Sequence, residues 1–252
     1  LALILLYIFY GGFTGLGVGI GYNVVLSCVN SWFPDKDGLV SGILLTGFGF
    51  SSLIIANAAE SLLRITTLSI VFRGLGILCG GVMVLGSFFL RLPTADDTLP
   101  APKKKAVVSG GQDYTTAQML RRPTFWLYFL WTLCMSATGM LVINNAASIA
   151  LFFGAAATIG LLVSIFNSGG RLFIGMSMDK FGWKATMLID NAVIISAGLL
   201  MVLGNALGLF PLVMIGMLMA GVCYGGGVTI QASLVRTFYG SKNYAVNFST
   251  CN

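Results

Sequence analysis

One arginine stands inside an apolar run in the second half of the sequence. Arg171 lies eight residues before Asp179, and the stretch from Ala155 to Ser177 around it holds no other charge. A guanidinium in a bilayer costs roughly 2.5–3.5 kcal/mol on insertion scales, so such a residue usually faces a cavity and has a task there. Its planar fork of donors can hold a carboxylate through two parallel hydrogen bonds. The chemistry on offer is recognition of a small anion; a structural ion pair near the interface is the alternative. Asn167 lies one turn earlier on the same helical face and is a candidate neighbour in the same cavity. Eight residues on comes a tight polar turn, Gly175-x-x-x-Asp179-Lys180-x-Gly182-x-Lys184, after which a second apolar run begins at Ala185.

Other chemistry is hard to assemble from this chain. It has no histidine, and no serine–histidine, paired-carboxylate or metal-ligand constellation appears, so neither enzyme activity nor a cofactor or metal is expected. The five cysteines (Cys28, Cys79, Cys134, Cys223 and Cys251) fall mostly within apolar segments and read as small packing residues. The glycine-rich run before Tyr22 lacks the preceding strand and the spacing of a dinucleotide loop. Gly11, Gly15 and Gly19 recur every four residues, as on a face where helices approach closely.

The elements that must position Arg171 are membrane helices. The sequence is 57% hydrophobic and 9% charged, against roughly 25% charged in ordinary soluble domains. A soluble fold of this length cannot hide so much apolar surface, whereas a lipid bilayer solvates it. The net charge of +6 sits in short loops between apolar runs, which argues against a nucleic-acid partner and for a bilayer.

Seven segments reach the roughly 20 apolar residues that a helix needs to cross: about 3–31, 39–59, 68–90, 125–149, 155–177, 185–204 and 209–234. Between the third and fourth lies a polar stretch, 91–124, with Pro100-Ala101-Pro102-Lys103-Lys104-Lys105 and Ser109-Gly110-Gly111, read as a solvated linker. Its tail, Thr115 to Arg122, can form one short helix capped by Thr115 or Thr116. If the Asp179 turn is cytoplasmic, so are the loops at Pro34, at 91–124 and after Val235. Those loops hold Lys36, Arg91, Lys103, Lys104, Lys105, Arg121, Arg122, Lys180, Lys184, Arg236 and Lys242, while the other side holds Arg64 with Arg73 close by. The positive-inside rule orients the chain accordingly, as an integral protein of a plasma or inner membrane with its central linker cytoplasmic. Leu1 begins inside an apolar run and Phe248 to Asn252 look like the start of another, so the chain is expected to be part of a longer one.

The turn at Gly175–Lys184 resembles the short loop that major facilitator superfamily transporters place between paired helices. Within that superfamily several stretches are similar to the oxalate/formate antiporter family. They are Gly15-Leu16-Gly17-Val18-Gly19-Ile20-Gly21-Tyr22, Trp32-Phe33-Pro34-Asp35, Arg121-Arg122-Pro123-Thr124-Phe125-Trp126, Asn167-Ser168-Gly169-Gly170-Arg171 and Gly221-Val222-Cys223-Tyr224-Gly225-Gly226. Asp37 stands where that family usually has a basic residue, and Ala220 where it often has tryptophan.

The resemblance implies an all-α, polytopic fold in which 1–90 are the last three helices of the N-terminal six-helix half. Residues 91–124 would be the cytoplasmic central linker, and 125–252 the first four helices of the C-terminal half, so that the chain covers helices four to ten of twelve. It also implies a monomeric secondary carrier that moves small organic anions, mono- or dicarboxylates such as oxalate or formate, by alternating access. A ligand-binding sensor that transports nothing, or a carrier for a different small solute, is the alternative. Arg171 falls on the family's substrate arginine, Tyr22 and Tyr224 on two of its aromatic positions, and Asn167 is added as their neighbour. Gly175, Asp179, Lys180, Gly182 and Lys184 would form the loop that biases inward- against outward-facing states. At 1.5 Å per residue, Tyr22, Arg171 and Tyr224 lie about 18, 12 and 18 Å from their cytoplasmic helix ends, near one level. Gly225-Gly226-Gly227 is expected to loosen its helix as a hinge, and Asp190 to pair with a loop cation or cap a helix terminus.

Overall fold

In the computed structural model, residues 4, 5, 7–33, 36–94 and 113–251 are described. The turn at Pro34-Asp35 and the Lys103–Lys105 triplet lie outside them. Helix α1 runs Tyr7–Trp32, opening with a π-helical stretch, Tyr7–Thr14. It is followed by α2 (Asp37–Leu63), α3 (Leu68–Ser87), α4 (Thr116–Leu120), α5 (Pro123–Phe152), α6 (Ile159–Leu207), α7 (Phe210–Tyr239) and α8 (Tyr244–Cys251). No strand occurs among the described residues.

Local sequence explains the boundaries. Pro123 and Pro211 sit in the first turns of α5 and α7, where the missing N–H would have had no partner. Thr115 caps α4 in a capping box with Gln118, the cap expected from sequence. Gly208, at φ 66°, ends α6 in the left-handed conformation that favours glycine. α6 is 49 residues long, about twice what a bilayer needs, and breaks at Gly182 (φ 77°, ψ 169°). Its two limbs, 159–181 and 183–207, are the pair of spans expected on either side of the polar turn.

Five helices are long and apolar enough to cross a membrane among the described residues: α1, α3, α5, α6 and α7. α2 spans 27 residues with a shorter apolar stretch, Gly38–Ser51. With α6 broken in two, the seven rods read from sequence are all present. Outward-facing apolar side chains such as Leu130, Leu141, Phe173, Ile195 and Val202 are each more than half exposed, a surface suited to lipid and not to water.

Inside, two apolar clusters stack along the rods. One gathers Leu26, Leu45, Phe125, Ile230 and Phe248. The other gathers Val142, Val163, Ala197, Val213 and Met217. Close approach of α6 and α7 is what glycine makes possible: a Cβ on Gly170 would strike the Val222 backbone, one on Gly221 the Val163 carbonyl, and one on Gly225 the Asn167 carbonyl. The triplet 225–227 is therefore a packing surface in an unbroken α7, not the loosened segment expected. The Gly11, Gly15 and Gly19 face departs in the other direction, since an added Cβ there would meet no described atom within 4 Å. A bare helix face admits either a neighbouring helix or an open space, and here it borders the space described next.

One end of the rods is tied together. The Trp32 indole donates to the Arg91 carbonyl at 2.8 Å, and the Cys28 thiol to the same oxygen at 3.1 Å. The backbone amides of Gly38 and Leu39 donate to the Asp179 carboxylate at 3.0 and 2.8 Å. Trp183 meets Phe238 edge to face at 4.9 Å, the Tyr114 amide donates to the Tyr239 carbonyl at 3.0 Å, and the Lys242 amide to Asp113 at 3.2 Å. The described residues of the loops that charge assigns to one face therefore meet at one end of the rods.

Candidate functional site

Arg171 sits where three helices converge. Gly170 before it lets α7 come close, while Gly175 after it packs on Gly38 of α2 and Gly42 packs on the Arg171 carbonyl. The result is an arginine only 5% exposed. Its Nη1 donates to the Leu45 carbonyl of α2 at 2.6 Å. Its own carbonyl accepts from the Thr229 hydroxyl of α7 at 3.3 Å. Such placement holds the guanidinium at a fixed height between α2 and α7.

Beside it lies a cavity of about 360 Å³, bordered by Tyr22, Asn23, Arg171, Tyr224, Phe248 and Ser249, with Gly15 and Gly19 as part of its wall. Small-molecule sites generally run from roughly 300 to 1,000 Å³. Three of the four residues singled out from sequence, Tyr22, Arg171 and Tyr224, thus come from α1, α6 and α7 to one space. Asn167 does not border it; it lies against Gly225 of α7, with its side-chain oxygen buried and without a hydrogen-bond partner among the described residues.

Sequence reasoning missed the other members. Phe248 stacks on Tyr22 (centroids 5.9 Å apart) and on Tyr244 (5.6 Å), making an aromatic column behind the cavity. The four-residue spacing of Tyr244 and Phe248 was the available signal. Asn23 follows Tyr22 directly and donates to the Gly19 carbonyl at 2.8 Å. The cavity thus combines a fixed cation, two tyrosines and small polar groups, a set that can hold a carboxylate at one pole and cover an apolar remainder.

Below the cavity the polar turn does distinct work at each position. Asp179 caps the start of α2 through the Gly38 and Leu39 amides, as a carboxylate at a helix N-terminus should. Gly182 takes the positive φ that turns the chain. Lys180 and Lys184 are exposed, each lying over its neighbouring ring, Phe181 at 5.2 Å and Trp183 at 5.3 Å. Above the turn the seam between α2 and α6 continues: the Thr46 hydroxyl donates to the Ser168 carbonyl at 3.0 Å, and Gly49 packs on Ser168.

Residues 1–251 of this chain of long apolar rods match the family model of the Major Facilitator Superfamily. The chain belongs to the Major Facilitator Superfamily. Among individual proteins it is similar to the oxalate:formate antiporter of Oxalobacter formigenes, with 32% identity over 91% of this chain and 56% of that one. It is also similar to the uncharacterized MFS-type transporter YhjX of Escherichia coli (strain K12), with 30% identity over 98% of this chain and 61% of that one. A third relative is apicoplast pyruvate carrier 1 of Toxoplasma gondii, with 25% identity over 92% and 53%. This major facilitator chain spans a little over half the length of these relatives.

Proposed function

We propose that this chain forms the core of a secondary carrier that moves small organic anions, mono- or dicarboxylates, by alternating access. The observation that carries the reading is the joint placement of Arg171, Tyr22 and Tyr224 around one cavity. The arginine binds the carboxylate and the tyrosines close over the rest of the anion; Asn167, expected as their neighbour, lies outside the cavity. The similarity to an oxalate:formate antiporter and to a pyruvate carrier favours carboxylates over other solutes. Residues 1–90 and 125–252 contribute to the two halves of the carrier, joined by a cytoplasmic linker over 91–124. The Asp179 turn holds the halves together on that side. The proposed site is built from a single chain, in keeping with a monomer.

The test is exchange of labelled oxalate, formate and pyruvate in proteoliposomes, with protein expressed from its full open reading frame. Saturable exchange supports the reading. Tight carboxylate binding with no flux would sink it in favour of a sensor.

A further inference from the structure

One group on the cavity wall has no part in the anion scheme above. Asn23 of α1 borders the cavity next to Tyr22. Its Nδ2 donates to the Gly19 carbonyl, one turn back, at 2.8 Å. A carbonyl oxygen accepts and never donates, so the carboxamide sits one way round, with Oδ1 as its other arm. That oxygen is closed off from solvent and has no hydrogen-bond partner among the described residues. A buried acceptor left unmet keeps a desolvation cost that a donor removes.

Ser249 of α8 stands on the same wall. Its hydroxyl proton is turned back on its own helix, to the Ala245 carbonyl at 2.9 Å and the Val246 carbonyl at 3.0 Å. A hydroxyl has one proton, so what Ser249 has left for a ligand is lone pairs. Arg171, bordering the same space, is the opposite case, because a guanidinium donates and never accepts. The tyrosine hydroxyls can serve in either sense. Fixed donors therefore stand at Arg171, and fixed acceptors at Asn23 and Ser249.

These two kinds of group ask different things of a ligand. Carboxylate oxygens only accept. They suit the guanidinium, and at Asn23 they would set lone pair against lone pair. A hydroxyl on the next carbon gives Asn23 its missing donor while the carboxylate stays on Arg171. A site that hydrogen-bonds a substrate hydroxyl rejects the analogue lacking it, since the site's own polar group is then left unpaired. An apolar pocket of equal size makes little such distinction. We propose that Asn23 is a specificity-determining residue, through which the carrier takes 2-hydroxy monocarboxylates in preference to acids of matching size without the hydroxyl. The hydroxyl donates to Asn23 Oδ1, and no covalent bond changes. This specificity rests on the anion-carrier reading above and narrows it.

The test uses two matched pairs of ligands, glycolate against acetate and lactate against propionate, each pair differing by one hydroxyl. Binding is measured by calorimetry on protein from the full open reading frame in lipid nanodiscs. The parent protein is expected to bind each hydroxy acid roughly tenfold tighter than its match, within the range that an unpaired buried acceptor costs. Asn23→Leu, close in size but without an acceptor, is expected to bring both ratios close to one. If that variant does not insert, Asn23→Ala takes its place. Ratios that stay at the parent's value in the variant overturn the proposal, and a loss shared equally by all four acids makes Asn23 a structural residue. Equal binding of all four acids by the parent removes the proposal and leaves the carrier reading standing. Binding of none of them removes the carrier reading, and the specificity with it.

Discussion

Arg171 donates to the Leu45 carbonyl at 2.6 Å, so the group proposed to bind an anion is also a fastening between α6 and α2. A bound carboxylate and the Leu45 oxygen draw on one guanidinium. Arg171→Lys keeps the charge but loses the planar fork. It is expected to lower carboxylate exchange at least tenfold, about 1.4 kcal/mol, with normal insertion. Exchange at the parent rate by a well-inserted Arg171→Gln protein would leave Arg171 as a structural residue.

Asp179→Asn removes the charge from the cap on α2. Hydrogen bonds to charged groups contribute roughly 1.5–3 kcal/mol each, and losing even half of one changes a two-state balance by several-fold. The α2–α6 seam should open more often, which a cysteine at Thr46 reports through faster reaction with a maleimide added on the linker side. An unchanged reaction rate would mean that the turn does not bias the seam.

Glycines on the two kinds of face should respond oppositely. Gly225→Val drives a side chain into the Asn167 carbonyl, and overpacking of this sort costs typically about 1–3 kcal/mol. A lower melting temperature in detergent is expected. A Cβ added at Gly19 meets no described atom within 4 Å and Gly19 borders the cavity, so Gly19→Val is the contrasting variant. It should melt like the parent yet bind carboxylate more weakly; a matching loss of stability would place Gly19 in a packed interface.

Sidedness has a direct test. Single cysteines at Lys242 and at Gly154, in a background without the native five, should react with impermeant reagent from opposite faces of the membrane. Reaction from the same face would overturn the arrangement of rods.

Much of this was legible because a bilayer simplifies the reading. Hydropathy alone separates the rods, Pro123 and Gly208 mark their ends, and the Asp179–Gly182 pattern locates the break in α6. Depth along a helix is also a count of residues, which is why Arg171, Tyr22 and Tyr224 could be placed near one level. Rotation about the helix axis is harder to read. Asn167 shares a face with Arg171 by spacing, yet it ends against Gly225, because α7 comes close enough there to claim it. The same uncertainty hid the role of Gly15 and Gly19, since a smooth face does not say what it faces. Phe248 went unnoticed because its four-residue spacing from Tyr244 gives a shared helical face but not that this face turns to Tyr22. Asp190 was visible as a charge, but its complete burial beside α7 is a fact of packing alone.

The α2–α6 seam has a mechanical consequence. One contact along it, Gly49 on Ser168, lies eleven residues along α2 from Gly38, a lever of about 16 Å. Hydrogen bonds near 3 Å are lost when stretched by roughly 1 Å. Pivoting at Gly49, α2 breaks both bonds to Asp179 after a tilt of only about 3–4°. The Asp179 joint is therefore a catch that a few degrees release, while the Arg171–Leu45 and Thr46–Ser168 contacts nearer the pivot still hold the two helices together.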